Sequence, residues 1–266
     1  MASSSLLIST YNWPEALDLC LKSVFNQSIE PDEIVICDDG STADTESIIK
    51  KYQARSKVPI VHVWQKDEGF KLGQIRNKGI AKAKGDYIIQ IDGDLILHKH
   101  FIKDHLNFCK NKFFTTGSRV LLSPETTENL IENNSTDIKK YSKSDRNFFN
   151  GLHIPALHNF LSQLYKTKGK HKYYVKGCNM AFWKNNLLMI NGYNEDFTGW
   201  GKEDSEIAIR LINAGIKKQF LKFGGITYHL YHKEASREME QINFRMMQQA
   251  VDKKIMRTIK GVDQYL

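Results

Sequence analysis

Two acidic motifs lie far apart in this chain, and each has the residue types of a different catalytic function. Asp92-Gly93-Asp94 follows the apolar run 87–91, and Glu203-Asp204 follows Gly199-Trp200-Gly201-Lys202. An Asp-x-Asp at a strand end can hold Mg²⁺ or Mn²⁺, which prefer oxygen ligands, against a diphosphate. A carboxylate at the start of a later helix can accept a proton from an attacking hydroxyl. A transferase that uses a nucleotide-activated sugar needs both functions.

Each acidic motif also has an ordinary structural explanation. Asp-Gly-Asp is frequent in turns, and carboxylates are favoured in the first turn of a helix by the helix dipole. The buried strand before Asp92 favours the metal interpretation. Gly199 and Gly201 flank Trp200, as in a loop that approaches a ligand closely, and the indole offers a flat apolar face to a sugar ring.

Two strand-end motifs are candidates for binding a nucleotide. Thr10-Tyr11 lies at the end of the predicted strand 6–10, and Asp38-Asp39 follows the predicted strand 33–37. Tyr11 can stack on a flat base, and the two carboxylates can accept hydrogen bonds from a base or ribose edge. A turn with a helix cap explains Asp38 and Asp39 equally well. A single tyrosine at a strand end usually just packs, so the nucleotide interpretation of Tyr11 depends on the motifs around it.

Two pairs of basic residues complete the set. Lys71 and Arg76 lie near the start of a predicted helix, where they are either solvated charges or partners of phosphate oxygens. His229 and His232 follow an apolar segment. They are either structural or supply a nitrogen ligand to a metal site begun by Asp94.

The elements that must position these residues alternate in type. Runs at 6–10, 33–37, 59–64 and 86–91 predict strands, and helical spacing at about 14–25, 42–55 and 72–84 predicts helices between them. This order predicts an α/β fold with a mostly parallel sheet covered by helices on both faces. Ligands of such sheets bind beyond the carboxyl ends of the strands, where the three polar motifs of this half are expected.

The second half is less regular. Helices are predicted at 98–111, 155–165 and 203–214, and strands at 113–122, 177–183 and within 220–229. The polar stretch 123–150 has little periodicity and is interpreted as a mobile lid or acceptor loop. A helix over about 235–260 carries one apolar stripe (Met247, Val251, Ile255 and Ile259) that is expected to pack on the body, with insertion in a membrane surface as the alternative. We divide the chain into a nucleotide-binding half (1–97), an acceptor and catalytic half (98–235) and a helical tail (236–266).

Composition narrows the class of protein. Apolar residues make up 41% and charged residues 26% of the chain, as in soluble globular proteins. No apolar run approaches the roughly 20 residues that span a bilayer, and the first residues lack the features of a secretion signal, so we expect a cytoplasmic location.

The net charge of +8 leaves open a contact with an anionic membrane, at its inner face. No nucleic-acid signature accompanies it, so no nucleic-acid partner is expected. The four cysteines form no CxxC pair and are expected to be free thiols.

The order and spacing of these motifs resemble the inverting family 2 glycosyltransferases of the GT-A fold over residues 5–235. In the first half the family pattern is carried by Ser9–Asn12, Cys37–Ser41, Arg76-Asn77, Gly85–Tyr87 and Asp92–Asp94. The second half resembles β-1,4-galactosyltransferases and bacterial chondroitin-polymerase-type enzymes in Lys176–Phe182, Asn191–Tyr193, Gly199–Asp204 and Tyr231–Glu234. One departure is Ser205, where the galactosyltransferases carry further acidic residues.

The resemblance implies a GT-A (Rossmann-like) sheet flanked by helices, a smaller acceptor-binding C-terminal part and a C-terminal helix. It implies a Mn²⁺- or Mg²⁺-dependent enzyme that moves a sugar, with inversion, from a UDP-sugar to a glycan or lipid-linked oligosaccharide. The setting implied is bacterial surface polysaccharide or lipooligosaccharide synthesis.

For the donor, the resemblance implies that Tyr11 and Asp39 contact uracil, with Asp38 and Arg76 nearby. Asp92 would bind ribose or lie beside the metal.

For the reacting centre, it implies that Asp94 ligates the metal, with His232 as the first partner and His229 as the second. Asp204 would be the general base, Glu203 would bind acceptor hydroxyls, Trp200 would stack near the acceptor, and Gly177 would lie beside the donor sugar.

Two other classes of protein fit part of the pattern. One is a non-catalytic module that binds a sugar nucleotide or a carbohydrate. The other is a sugar nucleotidyltransferase, which generally needs a Gly-rich loop with Arg and Lys that residues 5–30 lack.

Overall fold

The computed structural model describes residues 2–138, 145–233 and 236–266. Glu234, the last residue of one motif, and residues 139–144 of the expected lid lie outside the described residues. Through residue 92, strands and helices alternate as predicted: β1 (Ser4–Thr10), α1 (Pro14–Phe25), β2 (Glu33–Asp38), α2 (Ala43–Gln53), β3 (Ile60–Trp64), α3 (Leu72–Lys82) and β4 (Tyr87–Asp92).

The remainder has shorter elements. They are β5 (Leu95–Leu97), α4 (Phe101–Phe108), β6 (Phe113–Thr116), β7 (Arg119–Leu121), α5 (Pro124–Glu132), α6 (His158–Leu161), β8 (Asn179–Trp183), α7 (Lys184–Met189), α8 (Glu203–Asn213), β9 (Lys217–Phe220), β10 (Thr227–His229) and α9 (Glu240–Asp252).

The central sheet confirms the predicted α/β class. Its strand order is β3-β2-β1-β4-β8-β6-β9, with the first four strands parallel and β8 antiparallel to both β4 and β6. The register places Thr10 of β1 opposite Asp38 and Ser9 opposite Asp92. Because parallel strands end at the same edge of a sheet, the polar motifs after β1, β2 and β4 meet at that edge.

A second sheet, of order β5-β10-β7, brings the distant histidines to the acidic motif. In the antiparallel pair of β5 and β10, His229 lies opposite Leu95, and the Leu230 amide donates a hydrogen bond to the Asp94 carbonyl at 3.0 Å. These contacts join segments more than 130 residues apart in sequence.

The core lies on both faces of the central sheet, because successive side chains of a strand point to opposite faces. Leu6 of β1 packs on one face in a cluster that includes Leu17 of α1 and Phe101 of α4. Leu7 packs on the other face in a cluster that includes Ile75 of α3 and Ile207 of α8. α8, which begins with the second acidic motif, is therefore fixed to the sheet by its apolar side.

Several predicted boundaries are wrong. The single strand expected at 113–122 is two strands that belong to different sheets. The stretch 123–150, expected to lack regular structure, contains α5, whose Ser123 hydroxyl accepts a hydrogen bond from the Thr126 amide at 3.1 Å. The helix α7 was not predicted.

The predicted C-terminal helix is shorter than expected. α9 ends at Asp252, and Lys254 has a left-handed backbone (φ 49°). The expected apolar stripe is not continuous, because Ile259 is 96% exposed. The tail still packs on the body, since Asn213 of α8 donates to the carbonyls of Ala250 and Ile255. Within the described part of the chain, no helix combines the length and the apolar character needed to cross a bilayer.

Candidate active site

A cavity of about 1020 Å³ opens where the carboxyl ends of β1, β2 and β4 meet the start of α8 and the small sheet. Twelve of the fourteen residues predicted to form a site line it: Thr10, Tyr11, Asp39, Arg76, Asp92, Asp94, Gly177, Trp200, Glu203, Asp204, His229 and His232. Asp38 and Lys71 do not.

At one end of the cavity Tyr11 offers an aromatic face. Its side chain is 51% exposed, and its hydroxyl donates to Asp67 at 2.9 Å. The Asp39 carboxylate is held by the Gln65 side chain (2.5 Å) and by the backbone amide of Lys71 (3.0 Å). Burial raises the pKa of Asp39 despite these two donors.

Asp38 and Lys71 have other roles in this structure. Asp38 is fully buried, and its carboxylate contacts the Ser41 amide (2.8 Å) and His62 Nε2 (3.0 Å). It therefore fixes the turn after β2 and is not placed to bind a nucleotide. The Lys71 ammonium pairs with Glu68 at 2.5 Å, so only its backbone serves the site, through Asp39.

Arg76 joins the two acidic motifs. Its guanidinium is buried and donates to Asp92 Oδ1 and to Asp204 Oδ1, each at 2.9 Å, and to the Ser9 hydroxyl at 3.2 Å. Burial raises the pKa of Asp92, and the carboxylates of Asp94 and Asp204 add to this, while Arg76 opposes it. The phosphate-binding role expected for Arg76 stays a prediction. In this structure its guanidinium is already paired with these two carboxylates.

Asp94 and the two histidines form a compact group. Asp94 Oδ2 lies 3.1 Å from His232 Nε2 and 3.4 Å from His229 Nε2. Each Nδ1 lies 2.8 Å from a backbone carbonyl, that of Leu230 or Lys233. Because a carbonyl can only accept, each Nδ1 carries the proton, and both Nε2 atoms present lone pairs toward Asp94 when the rings are neutral.

These donors fit a divalent cation. The three side chains place ligand atoms within 4.8 Å of one another, and the buried Asp94 Oδ1 has no hydrogen-bond partner among the described residues. The hydrogen bond to Asp94 raises the pKa of His232 to about 9, so a proton occupies this position when no cation is bound.

The second acidic motif lies across the cavity at the start of α8. The chain reaches it through left-handed backbone at Gly199 (φ 66°), Gly201 (φ 106°) and Lys202 (φ 76°). A β-carbon at Gly177 would lie 1.5 Å from Asp204 Oδ2, so only glycine permits this carboxylate to occupy its position.

Glu203 is buried, in contrast to its neighbour Asp204, whose side chain is 23% exposed. Burial, and then the charge of Asp204, raises the pKa of Glu203 far above its ordinary value. Its Oε2 atom has no hydrogen-bond partner within the part of the chain that is described. A protonated Glu203 can therefore donate a hydrogen bond to a ligand. Trp200 lies nearby, with the Arg237 guanidinium 5.2 Å from its ring centre.

Cationic residues that the sequence reasoning did not select also line the cavity. They include Arg119 of β7 and Arg146. Arg119 and Arg146 reach the cavity through strand pairing: β7 pairs with β10, and Leu121 and Arg146 exchange two backbone hydrogen bonds of 3.0 and 2.9 Å. Their sequence neighbourhoods carry no motif, so only their positive charge in the acceptor half was a signal.

Comparisons with known proteins identify the family and the fold of this chain. Residues 5–168 match the model of glycosyl transferase family 2, and residues 157–233 match that of the N-terminal domain of galactosyltransferase. The chain is 29% identical over 245 residues to a chondroitin synthase of Pasteurella multocida. This match covers 85% of the chain but only 24% of that relative, so the chain spans about a quarter of its length.

Solved structures share the fold at low sequence identity. TarS 1-349 of S. aureus in complex with UDP-GlcNAc has a TM-score of 0.67 at 16% identity, covering 99% of this chain and 69% of the other. The mannosyltransferase PcManGT of Pyrobaculum calidifontis, in complex with GDP-Man and Mn²⁺, has a TM-score of 0.62 at 15% identity, covering 98% and 66%. With more than half of its residues matched by the family model, the protein belongs to glycosyl transferase family 2 and has the GT-A fold.

Proposed function

We propose that the protein transfers a sugar from a UDP-sugar to a hydroxyl of a glycan or lipid-linked oligosaccharide, with inversion at the anomeric carbon. The observation that carries this proposal is the meeting of Asp94, His229 and His232 with Asp204 around one cavity. The acceptor oxygen forms a bond to the anomeric carbon as the bond to the UDP oxygen breaks. The hydroxyl proton passes to Asp204.

The donor lies along the sheet edge in this proposal. Tyr11 stacks on uracil, and Thr10 and Asp39 meet polar atoms of the base. Asp92 binds the ribose or lies beside the metal. Arg119 and Arg146 line the same cavity and counter the diphosphate charge, which grows as the bond to the sugar breaks.

Asp94, His232 and His229 hold the divalent cation. Two imidazole nitrogens beside a carboxylate suit Mn²⁺ better than Mg²⁺, which prefers an all-oxygen shell. When bound, the cation supplies Lewis-acid stabilisation of the departing diphosphate.

Asp204 is suited to act as the base because Arg76 donates a hydrogen bond to only one of its two carboxylate oxygens. Arg76 donates to Oδ1, which orients the carboxylate, while Oδ2 lies beside Gly177, where the donor sugar is proposed. Glu203 and Trp200 belong to the acceptor side. The buried carboxyl of Glu203 donates a hydrogen bond to an acceptor hydroxyl, and the indole packs on a sugar ring.

The biological setting is proposed from the relative. A chondroitin synthase is named for making a polysaccharide, and synthesis of a bacterial surface polysaccharide or lipooligosaccharide suits the same chemistry. Contact with an anionic membrane is proposed for the segment 148–168. There Phe149 and Phe160 are 73% and 69% exposed, and Lys166 and Lys168 follow.

The test is UDP release from a panel of UDP-sugars in the presence and absence of Mn²⁺, after thermal-shift screening selects the donor. The proposal expects Mn²⁺-dependent release by the wild type and its loss in Asp94→Asn and His232→Ala. Asp196→Asn is the matched control, because Asp196 lies on the surface and pairs with Lys260. Donor binding without release by the wild type would favour a non-catalytic binding module instead.

A further inference from the structure

Three residues outside the cavity meet at a second site. His98 follows β5, Asp104 lies in the first turn of α4, and His153 lies in the segment before α6. Their ligand atoms all lie within 4.8 Å of one another, although His153 is 49 residues from Asp104. None of them lines the active-site cavity.

The geometry of the group is that of a nitrogen- and oxygen-donor set. His153 Nε2 lies 3.0 and 3.2 Å from the two oxygens of Asp104. The rings of His98 and His153 are 4.6 Å apart, and the His100 ring is 5.4 Å from each of them. The Gly225 amide donates to Asp104 Oδ2 at 2.9 Å and fixes the carboxylate from behind, as outer-shell partners of metal ligands do.

An ion pair would explain why Asp104 lies beside His153. It would not explain why the rings of His98 and His100 lie at the same place. Bringing His98 to the same carboxylate places two imidazoles, those of His98 and His153, beside one negative charge. Imidazoles gathered in this way around a carboxylate are the donors that bind zinc and neighbouring late first-row metals.

We propose that His98, Asp104 and His153 bind a second metal ion, Zn²⁺ or a similar late first-row divalent cation. Water completes the coordination, because His100 Nδ1 already lies 2.8 Å from the Ser28 hydroxyl. The site has a structural role, because it joins α4 to the segment 148–157. That segment is otherwise held by hydrogen bonds such as those from Asn150 to the Arg119 carbonyl (3.0 Å) and from the Ile154 amide to the Phe223 carbonyl (2.9 Å).

Through the first of these bonds the segment contacts the strand that carries Arg119, one of the cations of the active-site wall. A metal at this position would therefore stabilise that wall without touching the reactants.

The test separates the two metal groups. In a background of His229→Ala and His232→Ala, which removes nitrogen ligands from the first group, we expect about one equivalent of Zn²⁺ to remain by equilibrium dialysis with metal analysis. We also expect Zn²⁺ to raise the Tm, and Co²⁺ to give visible d–d absorption. Adding His153→Ala should weaken Zn²⁺ binding by at least about tenfold and abolish the Tm rise.

His171→Ala is the matched control, because His171 lies outside both groups. His98→Gln serves as a second ligand variant if His153→Ala fails to fold, as judged by circular dichroism without metal. The proposal is overturned if the background variant retains no Zn²⁺. It is equally overturned if both ligand variants that fold bind Zn²⁺ like the His171→Ala control.

Discussion

Replacing Asp204 by Asn removes the carboxylate proposed as the general base while changing the shape of the cavity very little. The Asn side chain has nearly the same shape and keeps an oxygen in the place of Oδ1, which accepts from Arg76 Nη1 at 2.9 Å. Arg76 also keeps its partner Asp92. What is lost is the negative charge and the ability of Oδ2 to accept a proton.

The effects of Asp204→Asn on the free energy of unfolding and on kcat are expected to differ in size. Weakening one charge-assisted hydrogen bond costs about 1.5–3 kcal/mol of unfolding free energy at most, since the carboxylate is partly exposed. Losing a general base lowers kcat by about 10²–10⁴-fold, which corresponds to roughly 3–5 kcal/mol of transition-state stabilisation. The catalytic loss should therefore exceed the structural one.

The assay compares kcat for UDP release in Mn²⁺ with the Kd for UDP, measured by calorimetry, in the same preparations. We expect kcat to fall at least about 100-fold while the Kd for UDP changes less than about tenfold. Asp196→Asn makes the same chemical change at a surface ion pair and should leave both quantities near the wild-type values.

Two results would refute the reasoning. If Asp204→Asn retains kcat within about tenfold of the wild type, Asp204 is not the base. If the Kd for UDP weakens by the same factor as kcat falls, the residue acts by holding the donor side of the cavity together.

Three further predictions follow from neighbouring contacts. Gly177→Ala should lower kcat strongly and displace Asp204, because the added β-carbon would lie 1.5 Å from Oδ2; a kcat equal to that of the wild type would contradict the close contact. Asp38→Asn should lower the free energy of unfolding, measured in urea, by about 1–3 kcal/mol and leave the Kd for UDP unchanged. Asp39→Asn should weaken UDP binding. The reverse pattern would show that Asp38, and not Asp39, binds the nucleotide. Since His62 and Ser41 lower the pKa of Asp38 against the effect of burial, its stabilising contribution is present above its ordinary pKa and lost as the pH falls through the lower folded value. Glu203→Gln should raise the Tm more at pH 9 than at pH 5, because the pKa of Glu203 is raised in the fold and the wild type loses stability as the pH rises through it; equal Tm differences at both pH values would show that Glu203 ionises freely.

The sequence was most informative where local pattern and topology coincide. Apolar runs separated by helical spacing determined the parallel half of the sheet, and the polar residues at the ends of those runs had to meet, because parallel strands share a carboxyl edge. Glu203 at the first position of α8 was also evident, from the glycines before it and the helical spacing after it.

Local pattern did not reveal which polar residues face the cavity. Asp38 and Asp39 are adjacent in sequence, yet one is fully buried under the turn and the other lines the cavity, because successive residues at a strand end point in opposite directions. The pairing of Arg76 with both acidic motifs was equally hidden, since Asp204 is 128 residues away from it.

The sequence by itself determined the α/β class, the edge of the sheet at which the polar motifs meet and the residue types available there. Only the tertiary structure decided that β10 pairs with β5 and places His229 and His232 on Asp94, and that β7 carries Arg119 into the same cavity. The physical reason is that short strands of three residues acquire their register from long-range hydrogen bonding and burial, and neither is encoded in a local hydrophobic period.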